Sequence, residues 1–153
     1  MREIKFRGKR IDNGEWVYGF FVKSLADDNG NQKFLIIEDT TMHQANIRKF
    51  QHEVIPESVG QFTGILDKNK KEIYGGDVVS GGHMAYMAGQ CDCNYLIEYV
   101  DCYVAFRAIV TKYSKGKKRL EFAHQLEDID GIEGMEIIGN QTDNPELLIT
   151  KEK

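Results

Sequence analysis

Several protein classes are excluded by what this chain has little of. No apolar run approaches the ~18 residues of a helical membrane span, so none is expected. The start, Met1-Arg2-Glu3-Ile4-Lys5, has no apolar segment of the secretion-signal kind, which points to the cytoplasm. Basic residues are not in excess. The formal charge of −4 argues against a general nucleic-acid binder, which is usually basic. Proline occurs only at Pro56 and Pro145, and no internal repeat or long low-complexity linker interrupts the chain. The three cysteines, Cys91, Cys93 and Cys102, are an odd number, and no disulfide framework is expected. With His83 they would make four zinc ligands, but the spacing matches no zinc pattern. Reduced thiols and no cofactor are the expectation.

What is present is a soluble-protein composition of ordinary kind: 41% of residues are hydrophobic and 29% charged, neither disordered nor membrane-like. A chain of 153 residues buries a real core, and a single domain over 1–153 is the default. A subdivision into N-terminal strands (1–55) and a central hairpin with a C-terminal sheet (56–150) is the alternative.

The stretch from Val54 to Ser80 organises the rest. Pro56 suits the first position of a helical turn, and Gly60 lets the chain leave it. Gln61 to Leu66 reads as a strand, Asp67-Lys68-Asn69-Lys70-Lys71 as a turn, and Glu72-Ile73-Tyr74 as the returning strand. Gly75-Gly76-Asp77 then makes a corner before Val78-Val79. A phosphate loop would need a helix after the glycines, and here another β-branched pair follows.

Before this unit, Ile4 to Ile11 is a basic strand, Asp12-Asn13-Gly14-Glu15 a turn, and Trp16 to Lys23 a second strand. Period two puts Trp16, Tyr18 and Phe20 on one face, with Val17 and Phe21 on the other. Core packing is the expectation for the aromatic row, and a base-stacking platform beside the basic strand is the alternative. The polar loop Ala26 to Asn31 lacks calcium-loop spacing. Phe34 to Glu38 is a third strand, and Phe50, His52 and Val54 alternate in a short fourth. His43 reads as a surface residue.

After the unit, Ser80 to Gly89 reads as a loop or one helical turn. Tyr95–Val100 and Tyr103–Tyr113 are the strongest strands, with Asp101-Cys102 as a hairpin turn. The tip that follows carries Lys115, Lys117, Lys118 and Arg119. Such a cluster can follow a phosphate backbone, but lysine is also common at solvated tips. Leu120 to Gln125 and Met135 to Gly139 read as further strands. Between them Glu127 to Gly134 is an exposed acidic connection. Asn144-Pro145-Glu146 has the N-cap, Pro and Glu of a short helix that would dock Leu147 and Leu148.

The whole reads as all-β and mainly antiparallel: a small, partly open barrel or two packed β-subdomains, with helical turns near Pro56 and Pro145.

The central stretch resembles the signature of the YopX family, small proteins encoded by bacterial phages and prophages. The matching residues are Val59-Gly60-Gln61-Phe62-Thr63-Gly64, Asp67-Lys68-Asn69, Lys71-Glu72-Ile73-Tyr74 and Gly76-Asp77-Val78-Val79. Flanking blocks match in order: Ile4-Lys5-Phe6-Arg7-Gly8, Trp16-Val17-Tyr18-Gly19, Ile138-Gly139-Asn140 and Asn144-Pro145-Glu146-Leu147-Leu148. Lys70 departs from the pattern, which has Gly after the hairpin Asn. The resemblance implies an all-β phage-type protein with no catalytic residues to carry over, and a structural role for the signature.

Three functions compete. First comes a non-enzymatic phage accessory protein in the bacterial cytoplasm, acting on an unknown phage or host protein or self-assembling as a homo-oligomer. Second is a small nucleic-acid-binding module using the basic tip. Third is an enzyme, for which no catalytic set is readable.

Overall fold

The structure is a computed structural model and describes residues 3–38, 50–81, 94–101, 105–112, 123–125 and 134–148. It divides into two compact units, Met1–Phe62 and Thr63–Lys153, with the division inside a strand. The protein is all-β and antiparallel throughout. It forms two sheets, and among the described residues neither closes into a barrel.

Unit 1 contains β1 (Phe6–Lys9), β2 (Trp16–Lys23), β3 (Phe34–Glu38), β4 (Gln51–Glu53) and the start of β5 (Gly60–Leu66). Their order is β4-β3-β2-β1-β5. β1 is shorter than the strand expected from Ile4 to Ile11, because Gly14 (φ 73°) starts the reversal and Arg10 makes only an isolated bridge to Val54. Arg10 N–H donates to the Glu15 carbonyl at 2.9 Å, which closes that turn. One face of this sheet makes the core: Val17, Ile36 and Val54, with Phe6, Phe21, Phe34 and Val59 packed against them. The Pro56–Ser58 turn follows β4, and the Ser58 hydroxyl accepts from Lys9 N–H at 2.8 Å.

Unit 2 continues β5 into β6 (Glu72–Tyr74) and builds a five-stranded sheet ordered β10-β9-β8-β7-β11. Its members are β7 (Asp77–Ser80), β8 (Asn94–Val100), β9 (Ala105–Lys112), β10 (Ala123–Gln125) and β11 (Glu136–Asn140). Ile73, Val79, Tyr95, Ile97, Phe106, Ala108 and Met135 form the core. A helical turn, Pro145–Leu147, follows β11. Asn144 stands at its N-cap position but makes no capping bond to it. Its Oδ1 instead accepts from Asn140 N–H, so it closes the preceding turn.

The β5–β6 turn is held by one carboxylate. Asp67 is 1% exposed, and its Oδ1 accepts from Asn69 and Lys71 N–H at 2.7 and 2.9 Å. Oδ2 accepts from Ile137 N–H of β11 at 3.3 Å. Burial works against the charged form. The amides of Lys71, Ile137 and Asn69 outweigh it and hold the Asp67 pKa below its ordinary value. Lys70, where the family pattern has Gly, sits at φ 63°, a left-handed conformation that a non-glycine residue adopts at a steric cost.

Two outcomes follow. Lys70→Gly should raise the denaturant midpoint, because relief of about 1–2 kcal/mol of strain exceeds the added freedom of Gly when unfolded. A lowered midpoint would mean that Lys70 carries no such strain. Asp67→Asn should cost on the order of 2 kcal/mol, since an amide supplies one acceptor oxygen in place of two. The native Asp67 pKa is lowered, so its stabilising contribution is present above the ordinary Asp pKa and is lost as pH falls through the lowered one. Stability measured between about pH 6 and pH 2 should therefore fall less steeply in Asp67→Asn than in the wild type.

Candidate functional site

A surface with a row of exposed apolar side chains lies in unit 1. β1 and β2 pair in a fixed register: Phe6 with Gly19, Arg7 with Tyr18, Gly8 with Val17 and Lys9 with Trp16. Cross-strand partners share a face. The inward positions are therefore Phe6, Gly8, Val17, Gly19 and Phe21. Two of these are glycine for a reason. A Cβ on Gly8 would stand 2.9 Å from the Val54 side chain, and one on Gly19 would stand 1.9 Å from the Ile37 carbonyl oxygen.

The outward positions read Lys5, Arg7 and Lys9 along β1 and its approach, and Trp16, Tyr18, Phe20 and Val22 along β2. Tyr18 is 44% exposed, Phe20 51% and Val22 39%. This corrects the expectation that the aromatic row fills a core. β2 is apolar on both faces: the Val17 side is core, and the other side carries the exposed Tyr18, Phe20 and Val22 beside the buried Arg7 and Leu35. The Arg7 guanidinium lies 4.7 Å from the centre of the Trp16 ring in a cation–π contact, and Arg7 is buried, 7% exposed.

No acidic residue occupies an outward position of β1 or β2. Ion pairs lie at the ends of the sheet. Arg10 binds Asp12 through Nε–Oδ1 at 2.9 Å and Nη2–Oδ2 at 2.5 Å, with Glu15 at 3.8 Å. That hydrogen bond raises the Arg10 pKa and lowers that of Asp12. At the β4 edge Lys33 binds Glu53 at 2.6 Å, and this bond raises the Lys33 pKa. The face thus offers ring surfaces beside a cationic strand. Among the described residues no group of three His, Cys, Asp or Glu side chains is placed to hold a metal ion.

The basic tip (Lys115, Lys117, Lys118, Arg119), the thiols (Cys91, Cys93, Cys102), His83 and His43 lie outside the described residues. So does the acidic connection from 127 to 133. The signature residues shape the backbone. Gly60 pairs with Arg7, and Phe62, 7% exposed, donates its N–H to the Lys5 carbonyl at 2.8 Å. The Thr63 hydroxyl donates to the Ile73 carbonyl at 2.8 Å, and Gly64 bends β5 at φ 88°. Tyr74 is buried, with its hydroxyl on Glu72 at 2.6 Å. Its N–H donates to the buried Asp77 at 2.8 Å. Gly76 turns that corner at φ 85° and donates to the Ile97 carbonyl at 2.7 Å. Gly139 leaves room for the Asn144 and Leu147 side chains, which would stand 2.5 and 2.7 Å from a Cβ there. Pro145 opens the last turn, and Leu148 closes it by donating its N–H to the Pro145 carbonyl at 3.1 Å. Leu147 and Leu148 are half-buried, short of full docking.

The exposure of the aromatic row escaped sequence reasoning because both faces of β2 are apolar. A usable signal was the matching parity of Lys5, Arg7 and Lys9, which marks the face opposite the Val17 core.

No curated protein matches the chain. Among solved structures, the crystal structure of protein EF1440 from Enterococcus faecalis is similar at 22% identity and a TM-score of 0.49. That similarity covers 97% of this chain and 100% of that one. The family model described as YopX protein matches residues 5–149, which takes in the β1–β2 face, the Asp67 turn and the Pro145 turn alike. The chain belongs to the YopX family.

Proposed function

We propose that this protein is a phage- or prophage-type accessory protein that works by binding and not by turnover, and that its working surface is the outer face of β1 and β2. The observation that supports this reading is the row Tyr18, Phe20 and Val22, held outward on a strand whose other face is already satisfied by a core. Two half-exposed aromatics in line are costly to leave in water, and aromatic rings and arginine are enriched where macromolecules meet. The occupant expected first from the sequence is protein: a second copy of the chain or a phage or host partner. The outward cations admit nucleic acid as the other class.

The test replaces Phe20 with photoreactive benzoylphenylalanine in the full chain expressed in bacterial cells. Irradiation should give covalent adducts at position 20, and none above background when the same residue stands at Asn29 in the exposed β2–β3 loop. The adduct identifies its own class by mass: a doubled chain, a different protein, or nuclease-sensitive material. Equal or absent yields at the two positions would remove this face as the working surface.

A further inference from the structure

We propose that the chain carries a self-modification site: Asn29 deamidates through attack by the Gly30 backbone nitrogen, while Asn13, in the same sequence setting, is protected by the fold. This chemistry is independent of what the β1–β2 face binds.

The triplet Asp-Asn-Gly occurs twice, as Asp12-Asn13-Gly14 in the β1–β2 turn and as Asp28-Asn29-Gly30 in the β2–β3 loop. A glycine after asparagine leaves its nitrogen open to reaction, because no Cβ stands beside it. The immediate neighbours are identical, so they give the two asparagines no difference in reactivity. Three structural features do not separate them either. Both asparagines are exposed. Both glycines take positive φ, 73° at Gly14 and 82° at Gly30. Both attacking nitrogens are held alike: Gly14 N–H donates to the Arg10 carbonyl at 3.1 Å, and Gly30 N–H to the Asp27 carbonyl at 2.9 Å.

The side-chain amides separate them. Asn13 Nδ2 donates to Glu15 Oε2 at 2.7 Å, and Asn13 Oδ1 accepts from Glu15 N–H at 3.0 Å. Both ends of that amide are tied to Glu15, so its carbonyl carbon cannot swing onto Gly14 N until these bonds break. Asn29 is held through its backbone, whose N–H donates to Asp27 Oδ1 at 2.9 Å. Among the described residues its side-chain amide makes no hydrogen bond. No heavy atom stands within 4 Å of the place a Cβ would take on Gly30, so nothing crowds the ring as it closes.

The reaction consumes only water. Gly30 N attacks Asn29 Cγ, the bond from Cγ to Nδ2 breaks, and the proton lost from Gly30 N leaves on ammonia. The product is a five-membered succinimide. Water then opens it. Breaking the bond from Cγ to Gly30 N gives aspartate. Breaking the bond from the main-chain carbonyl carbon to Gly30 N gives isoaspartate, with the chain running through Cγ. Nothing is oxidised or reduced. Either product adds a carboxylate beside Asp27 and Asp28. Isoaspartate also adds one main-chain atom between residues 29 and 30. Asp27 Oδ1 accepts from Asn29 N–H before that point and from Asn31 N–H after it, at 2.9 and 2.8 Å. The added atom falls between these donors, so isoaspartate opens the loop that joins β2 to β3.

The experiment incubates the full folded chain at mildly alkaline pH and follows both sites by mass spectrometry. Tryptic peptides Ile11–Lys23 and Ser24–Lys33 carry one triplet each, and fragmentation locates the converted residue. Conversion at Asn29 should exceed that at Asn13 roughly tenfold or more, since Asn13 must first break two hydrogen bonds. In urea, where the fold is lost, the two sites should convert at comparable rates. Glu15→Ala removes the side-chain acceptor and should raise conversion at Asn13 in the folded chain. Glu15→Gln keeps an acceptor there and should leave Asn13 protected. Each variant is first checked for an unchanged thermal midpoint. Equal or faster conversion at Asn13 in the folded wild type overturns the inference. So does an excess at Asn29 that persists undiminished in urea, or conversion at Asn13 that Glu15→Ala leaves unchanged.

Discussion

Unit 1 depends on the register between β1 and β2. Side chains alternate at period two, so a slip of one residue would exchange the two faces completely. Lys5, Arg7 and Lys9 would then point into the space now filled by Val17, Ile36 and Val54. The cost would include newly burying the charges of Lys5 and Lys9, each worth several kcal/mol. The register is defended at both ends. The Asp12–Glu15 turn sets it, and two glycines lock it, since only Gly fits beneath Val54 at position 8 and against the Ile37 carbonyl at position 19. The same register that protects the core displays the aromatic row, so stability and surface have a single cause.

Unit 2 uses a different device. Its core is apolar, but two carboxylates are fully buried at its corners, Asp67 and Asp77, each 1% exposed. A buried carboxylate is tolerated only where donors surround it. Asp67 has three backbone amides and Asp77 has that of Tyr74. The amides belong to turns that would otherwise leave them unsatisfied. Each aspartate therefore replaces a run of regular hydrogen bonds at a place where the chain must change direction. On the surface Lys68 pairs with Glu136, and that hydrogen bond lowers the Glu136 pKa. The pair is exposed and adds little by comparison with the buried acids.

Much of this was legible in the sequence. β2, β3 and β6 fall where alternation and turn residues put them, and both proline turns stand where Pro at the first helical position predicts them. Lys70 takes the positive φ that its place after Asn69 demands. What was not legible is which side of β2 meets water. Alternation assigns residues to two faces and says nothing about which face is covered when both are apolar. That depends on β3, β4 and the Val54 bridge, partners more than a dozen residues away. The role of Asn144 was also misread. Its sequence position is that of an N-cap, but an acceptor serves whichever donor is nearest, and here that is Asn140 N–H.

The distribution of signature residues bears on what the family shares. Gly64, Gly76 and Gly139 act through backbone freedom or room, Asp67 and Asp77 through amide capture, and Phe62 and Tyr74 through burial. Each of these contacts lies within the fold. A fold held this way leaves its outward positions free to differ, because a side chain on the open face of a sheet can be exchanged at a cost of tenths of a kcal/mol. The β1–β2 face draws on both sets: Lys5, Arg7, Trp16 and Tyr18 lie in blocks that match the family, Phe20 and Val22 do not, and the family fold by itself says little about function. The pairing that puts Val17 in the core leaves Tyr18, Phe20 and Val22 on the other side of β2, so a single register accounts for both.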